Sequence, residues 1–132
     1  DNTLKIDLLV TPKGTCKTKV NIVNGSPYVK INGSFNAKIY SMDENDNYLD
    51  PDILTTLSNT CNTYLENILL NYLYKTSVEF KSDISGIGKY ALSNFYTTDE
   101  FKDYNWMDNY MNSTFKVTID TTIDSGFLLN KT

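Results

Sequence analysis

The stretch Asp50–Leu73, DPDILTTLSNTCNTYLENILLNYL, decides the fold that we predict for this chain. Its apolar residues recur at gaps of three and four, which is the spacing of one stripe along a helix, and only Leu70 lies off that stripe. Asp50 can cap this helix and Pro51 suits its first position, because the N–H groups of a first turn have no partner within the helix. The segment is too polar to span a bilayer, so we expect its stripe to pack on a sheet. The residues of the stripe are Ile53, Leu54, Leu57, Cys61, Tyr64, Leu65, Ile68, Leu69, Tyr72 and Leu73.

Four other segments alternate apolar and polar residues, which is typical of half-buried strands. The predicted strands are Thr3–Val10, Cys16–Val23, Tyr28–Tyr40 and Phe115–Ile123. Asn24-Gly25, between the second and third, predicts a tight hairpin because both residues tolerate a positive φ. We therefore expect the first three strands to form an antiparallel meander with one dry face.

Two short helices are predicted between the long helix and the last strand. Asp83 can cap the first of them, and Thr98 can cap the second, which runs toward Met111. The first would bury Ile84, Ile87, Ala91 and Leu92. The predicted fold is therefore α+β. It is a single domain over residues 1–132, with a largely antiparallel sheet of about four strands, one long helix packed on one face and two short helices before the last strand.

The composition excludes several classes of function. The 132 residues include no His and no Arg, and the net charge is −4. Without His, the chain has no imidazole base, no catalytic triad and no His-ligated zinc. Without Arg it has no planar fork for phosphate or guanine, and its acidic charge argues against nucleic acid as a partner. We predict no catalytic residue, cofactor or metal ligand, and we expect that the chain is not an enzyme.

Three local patterns allow more than one interpretation. Gly86-x-Gly88-x-x-Ala91 matches the letters of a dinucleotide fingerprint, but no parallel βαβ unit surrounds it, so we interpret its glycines as sites of close packing against the sheet or Trp106. The acidic run Asp43–Tyr48 lacks the Gly and the distal Glu of a calcium loop, which favours a solvated loop over a weak cation site. Cys16 and Cys61 are both placed on apolar faces, and the spacing leaves buried free thiols and a disulfide open.

The second half of the chain carries a set of motifs in a recognisable order. Asp83-Ile84-Ser85-Gly86-Ile87-Gly88 comes first, Asn105-Trp106 follows about twenty residues later, and Ile123-Asp124-Ser125-Gly126 closes the last strand. Together they resemble the C-terminal domain of the spore germination Ger(x)C family, in which Ser85 is usually an aromatic residue. The signature residues Asp83, Gly86, Gly88, Trp106 and Gly126 are expected to be structural, with Asp83 as a cap, Gly86 and Gly88 as close-approach glycines and Trp106 as an aromatic wedge.

The resemblance implies a role in spore germination. Members of the family are the C subunits of nutrient germinant receptors, which implies a lipoprotein on the outer face of the spore inner membrane with two integral membrane partners, the A and B subunits. The chain would be the C-terminal domain excised from that longer lipoprotein, touching the membrane only through the lipid anchor of its parent. We expect a non-catalytic assembly domain that contacts partners through exposed Tyr residues or the wet sheet face, at Lys30, Asn32 and Lys38. The alternative is an extracellular module that binds a small molecule or carbohydrate, for which abundant Tyr and Asn are the hint.

Overall fold

The structure is a computed structural model that describes residues 6–42 and 51–124. It confirms the α+β fold, with a four-stranded sheet, one long helix and short helices before the last strand. Asp50, the loop Asp43–Tyr48 and Gly126 lie outside the described residues. In chain order the elements are β1 (Ile6–Pro12), β2 (Lys17–Val23), β3 (Ser26–Met42), α1 (Pro51–Tyr74), a π-helical turn (Lys75–Glu79), a 3₁₀ helix (Ile87–Asn94), α2 (Thr98–Tyr104), α3 (Trp106–Tyr110) and β4 (Thr114–Asp124).

The sheet is organised around β3, a strand of 17 residues that pairs with all three others. β2 pairs antiparallel with residues 26–32 and β1 pairs antiparallel with residues 35–42. The predicted meander is therefore wrong, because β1 pairs with β3 and not with β2. A strand of this length can pair with a different strand along each of its halves, so the order of the strands in the chain does not determine their order in the sheet.

The hairpin between β2 and β3 has the predicted turn. Asn24 has φ 51° and Gly25 has φ 82°, so both central residues are left-handed, as a two-residue hairpin of this type requires. The hydroxyl of Tyr104 donates a hydrogen bond of 2.6 Å to the carbonyl of Gly25. This contact fixes the tip of the hairpin to the end of α2.

The chain divides into two compact units, and β3, α1 and β4 each contribute residues to both. The first unit comprises residues 1–15, 33–65 and 119–132. Its described core includes Ala37, Ile39, Ile119 and Thr121, all of which are buried. The hydroxyl of Ser58 on α1 donates to the carbonyl of Thr121 on β4, which holds the helix against a strand, as predicted.

The second unit comprises residues 16–32 and 66–118. Thr76 donates from Oγ1 to the Leu73 carbonyl at 2.6 Å, so the Tyr110 hydroxyl, 2.8 Å from the same oxygen, is the donor in their shared bond. The Tyr74 hydroxyl accepts from the backbone N–H of Phe115 at 3.0 Å. The buried apolar side chains of this unit include Val20, Pro27, Val29, Ile31, Leu73, Ile87, Ala91, Trp106, Tyr110, Phe115 and Val117.

The predicted long helix is confirmed, with Pro51 as its first residue and its end at Tyr74, one residue beyond the prediction, but its predicted buried stripe is partly wrong. Tyr64, Ile68 and Tyr72 are 65%, 48% and 42% exposed, whereas Leu70, placed off the stripe, is half-buried. The helix is apolar over more than one face, so spacing alone does not choose the face that packs. No described helix combines the length and the apolar character needed to cross a membrane.

Three smaller expectations are also corrected. Cys16 is exposed, just before β2 begins, and Cys61 is half-buried; both are free thiols, so the disulfide alternative is wrong. Ile84 and Leu92 are exposed, because the 3₁₀ helix buries only Ile87 and Ala91 of the four predicted residues.

Candidate functional site: an apolar groove at the signature residues

The carboxylate of Asp83 joins two segments of the second unit. Its Oδ1 accepts from the backbone N–H of Ile87 at 2.8 Å, and its Oδ2 accepts from the N–H of Gly88 at 2.6 Å. These are open donors at the start of the 3₁₀ helix, which a carboxylate satisfies well. The same Oδ2 accepts from the indole Nε1 of Trp106 at 2.9 Å. One side chain therefore caps the 3₁₀ helix and orients Trp106.

Gly86 and Gly88 are each required to be glycine, but for different physical reasons. Gly88 lies against the indole, since a Cβ there would be 2.8 Å from Nε1 and 2.9 Å from Cδ1 of Trp106. Gly86 has nothing within 4 Å of such a Cβ, but its φ is +71°, a left-handed conformation that side chains disfavour. The close approach expected for both glycines therefore exists only at Gly88, and Gly86 serves the turn.

Trp106 is placed by a break in the second predicted short helix. Asn105 has φ 58° and separates α2 from α3, so the segment forms two helices where one was predicted. The residue that caps α2 is Thr97, and not Thr98 as predicted, because the hydroxyl of Thr97 accepts a hydrogen bond from the N–H of Glu100 at 3.0 Å. Asn109 supports the break by donating from Nδ2 to the Tyr104 carbonyl at 2.7 Å.

Behind Trp106 the rings of the second unit form a continuous cluster. The Phe101 ring is stacked on Trp106 with centroids 6.4 Å apart, and the centroid of the Tyr110 ring lies 5.7 Å from that of Trp106. Burial raises the pKa of Tyr110, the hydrogen bond that it shares with Thr76 opposes that rise, and the charge of Asp83 adds to it. Such packed aromatic pairs give Trp106 a rigid position.

An open groove of about 570 Å³ lies over this cluster, entirely within the second unit. Its surface is mostly apolar, and Leu92 and Met107 are 44% and 49% exposed beside it. We call it the signature groove, because four of the five signature residues line it. The lining residues are Asp83, Gly86, Gly88, Lys89, Leu92, Phe101, Lys102, Asn105, Trp106 and Met107.

The charged side chains at the signature groove differ in whether they are engaged within the fold or exposed at its edge. Both oxygens of Asp83 are already engaged by three donors, so this carboxylate is built into the fold. Lys89 and Lys102 are exposed on the lining, and the Nζ of Lys89 lies 5.1 Å from the centroid of the Tyr90 ring. Within residues 6–42 and 51–124 no three His, Cys, Asp or Glu side chains converge as metal ligands do. The arrangement offers an apolar surface with cationic edges.

The structure separates the residues that the sequence singled out. Asp83, Gly86, Gly88 and Trp106 meet at one site, whereas the polar sheet positions Lys30, Asn32 and Lys38 are exposed elsewhere on β3. Four further lining residues were not predicted as part of the site: Lys89, Leu92, Lys102 and Met107. Leu92 was predicted to be buried, and no local pattern in the sequence shows that it is exposed.

Comparisons with known proteins agree with this architecture. The family model for spore germination B3/GerAC-like proteins, C-terminal region, matches residues 2–126. Among solved structures the chain is similar to the crystal structure of the GerBC protein, with a TM-score of 0.69 and 20% identity, over 89% of this chain and 41% of that one. That likeness supports the fold, and the chain spans less than half of that relative. A search of curated proteins finds no match.

Proposed function

This chain belongs to the spore germination B3/GerAC-like C-terminal family, and we propose that it is the non-catalytic assembly domain of a germinant-receptor C subunit. It would act in nutrient-triggered germination by holding the C subunit to its integral membrane A and B partners. Its parent would be lipid-anchored on the outer face of the spore inner membrane, and no nucleic acid would be involved.

The observation that carries this proposal is the apolar surface of the second unit. Val78, Phe80 and Ile84 are 57%, 55% and 60% exposed, and Tyr96 is 98% exposed. The signature groove adds Leu92 and Met107 to the exposed apolar side chains. Large apolar side chains are costly to leave in water, and exposed apolar surface of this kind marks sites where another protein packs.

The test is recovery of membrane partners by the full-length protein. The tagged C subunit is co-expressed with both integral membrane subunits, crosslinked in intact cells and purified in detergent. We expect both membrane subunits in the purified fraction, and their loss when the whole of this chain, residues 1–132, is deleted. Equal recovery by the deleted protein would contradict an assembly role for this chain.

A second candidate, a module that binds small molecules, has one observation in its favour. The volume of the signature groove, about 570 Å³, is within the usual range of ligand pockets, roughly 300–1,000 Å³. The described lining contains no Tyr, however, although a Tyr-lined pocket is what the composition led us to expect for carbohydrate. A thermal-shift screen with sugars and amino acids separates the two functions, because one of these ligands would raise the melting temperature of a small-molecule-binding module but not that of an assembly domain.

A further inference from the structure

We propose that the signature groove binds an apolar segment of a partner protein that carries acidic side chains. This inference rests on the proposed function and adds the chemistry of the partner and its place of contact. The groove supplies three things to such a segment: a rigid apolar floor, two cationic edges and an open shape.

The floor of the signature groove is held in place by the core. Trp106 is only 7% exposed, its indole N–H is held by Asp83, and its ring is stacked on Phe101. Because these groups are already ordered, a ligand does not have to bear the entropy of ordering them. The exposed halves of Leu92 and Met107 extend the floor outward, and Met adapts its shape to irregular apolar partners.

The charge of the signature groove is opposite to that of the chain. The chain carries −4 overall, yet the lining charges that remain free to meet a ligand are Lys89 and Lys102. Among the described residues neither lysine forms an ion pair, so both ammonium groups can meet a carboxylate. Complementary charges select partners and orient them, which makes an acidic segment the matching one.

The shape of the signature groove favours a peptide over an enclosed small molecule. It lies open along the 3₁₀ helix and the α2–α3 break, and residues of both segments line it. Peptide segments bind such grooves by placing a few apolar side chains on the floor while their polar side chains meet the edges. Leu or Phe side chains flanked by Glu or Asp fit this description.

Two synthetic peptides of equal length test the chemistry directly. One contains only Leu and Glu, the other only Leu and Lys, and both are fluorescein-labelled and titrated with the full-length protein by anisotropy. We expect the Leu/Glu peptide to bind and the Leu/Lys peptide to bind more weakly. The double variant K89E/K102E should weaken binding of the Leu/Glu peptide by about tenfold, because two favourable charge contacts become repulsive.

The matched control reverses the charge of two lysines away from the groove, Lys30 and Lys116, which are exposed on β3 and β4. We expect K30E/K116E to leave the affinity for the Leu/Glu peptide unchanged. Equal binding of the two peptides, equal effects of the two double variants, or no binding of the Leu/Glu peptide would each overturn the inference.

Site-specific photo-crosslinking separates this inference from the proposed function. A benzophenone amino acid is placed at Met107 in the full-length protein, or at the exposed Thr118 on β4 as the control, and the membrane subunits are co-expressed. A crosslink from Met107 and none from Thr118 is expected. Recovery of the membrane subunits without a crosslink from Met107 would overturn the groove as their contact and leave the assembly role intact. Lysine-dependent peptide binding without recovery of the subunits would support the groove and overturn the assembly role.

Discussion

Replacing Asp83 with Ala should destabilise the chain far more than replacing an exposed acid. The substitution removes the acceptor of two backbone N–H groups at the 3₁₀ helix and of the Trp106 indole. Losing a helix cap costs about 0.5–2 kcal/mol. Leaving a buried donor such as the indole N–H without a partner costs about 1–3 kcal/mol more. The expected loss in the free energy of unfolding is therefore about 1.5–5 kcal/mol.

Urea unfolding measures this loss, and the chain supplies its own probe. Trp106 is the single Trp, so its fluorescence reports on the site that the substitution alters. With an m-value of about 2 kcal/mol/M, the midpoint should fall by about 0.75–2.5 M urea. D83N keeps one acceptor oxygen but turns an NH₂ group toward the donors, so we expect a smaller loss than for D83A.

D120A is the matched control, since Asp120 is exposed on β4. Exposed substitutions away from special features usually change stability by less than about 0.5 kcal/mol. If D83A and D120A differ by less than that amount, the three hydrogen bonds do not hold the site together and the reasoning is refuted.

Four further predictions concern the same unit. G88A should cost about 1–3 kcal/mol and shift Trp106 emission, because its Cβ would press on Nε1 from 2.8 Å; unchanged emission in urea titrations would contradict it. G86A should cost about 1 kcal/mol through backbone strain at φ +71°, with no emission shift. Burial raises the pKa of Tyr110 above its usual value of 10.0, so the folded state keeps a proton that the unfolded state loses. The stability that neutral Tyr110 contributes is fully present below the usual pKa of Tyr, and it is lost as the pH rises through the raised pKa of the folded state. Y110F should therefore show a smaller fall in the free energy of unfolding than wild type between pH 9 and pH 11, measured by urea titration. K89E/K102E should stay within about 0.5 kcal/mol of wild type in urea, because both lysines are exposed, and a larger change would mean that they support the fold.

The elements of this fold were predictable where a pattern is local and repeated. Ten apolar residues at helical spacing, with Pro51 at the start, gave α1 almost to the residue. Asn24-Gly25 gave the hairpin because the positive φ that it tolerates is a property of those two residues themselves. Alternation gave the four strands of the described residues, but it does not say which strand lies beside which, and the order around β3 came only from the structure.

The signature groove was only partly predictable, for a related reason. Asp83 as a cap depends on neighbours four and five residues away, which a sequence pattern covers. Its bond to Trp106 joins residues 23 positions apart, and no periodicity reports on such a pair. The break at Asn105, which aims the indole at Asp83, is a single left-handed residue without a repeating signal.

The residues of the signature groove divide into those that build it and those that face a ligand. Asp83, Gly88 and Trp106 are tied to one another so closely that a change in any one alters the others, and their variants report on folding first. Lys89, Leu92, Lys102 and Met107 project from the same surface with exposed side chains, so their variants alter recognition while the floor stays in place. A loss of partner binding in K89E/K102E with an unchanged urea midpoint therefore identifies contact, whereas the same loss in D83A identifies only a damaged floor. The separation between these two sets of residues is what makes a binding role for the groove open to experiment.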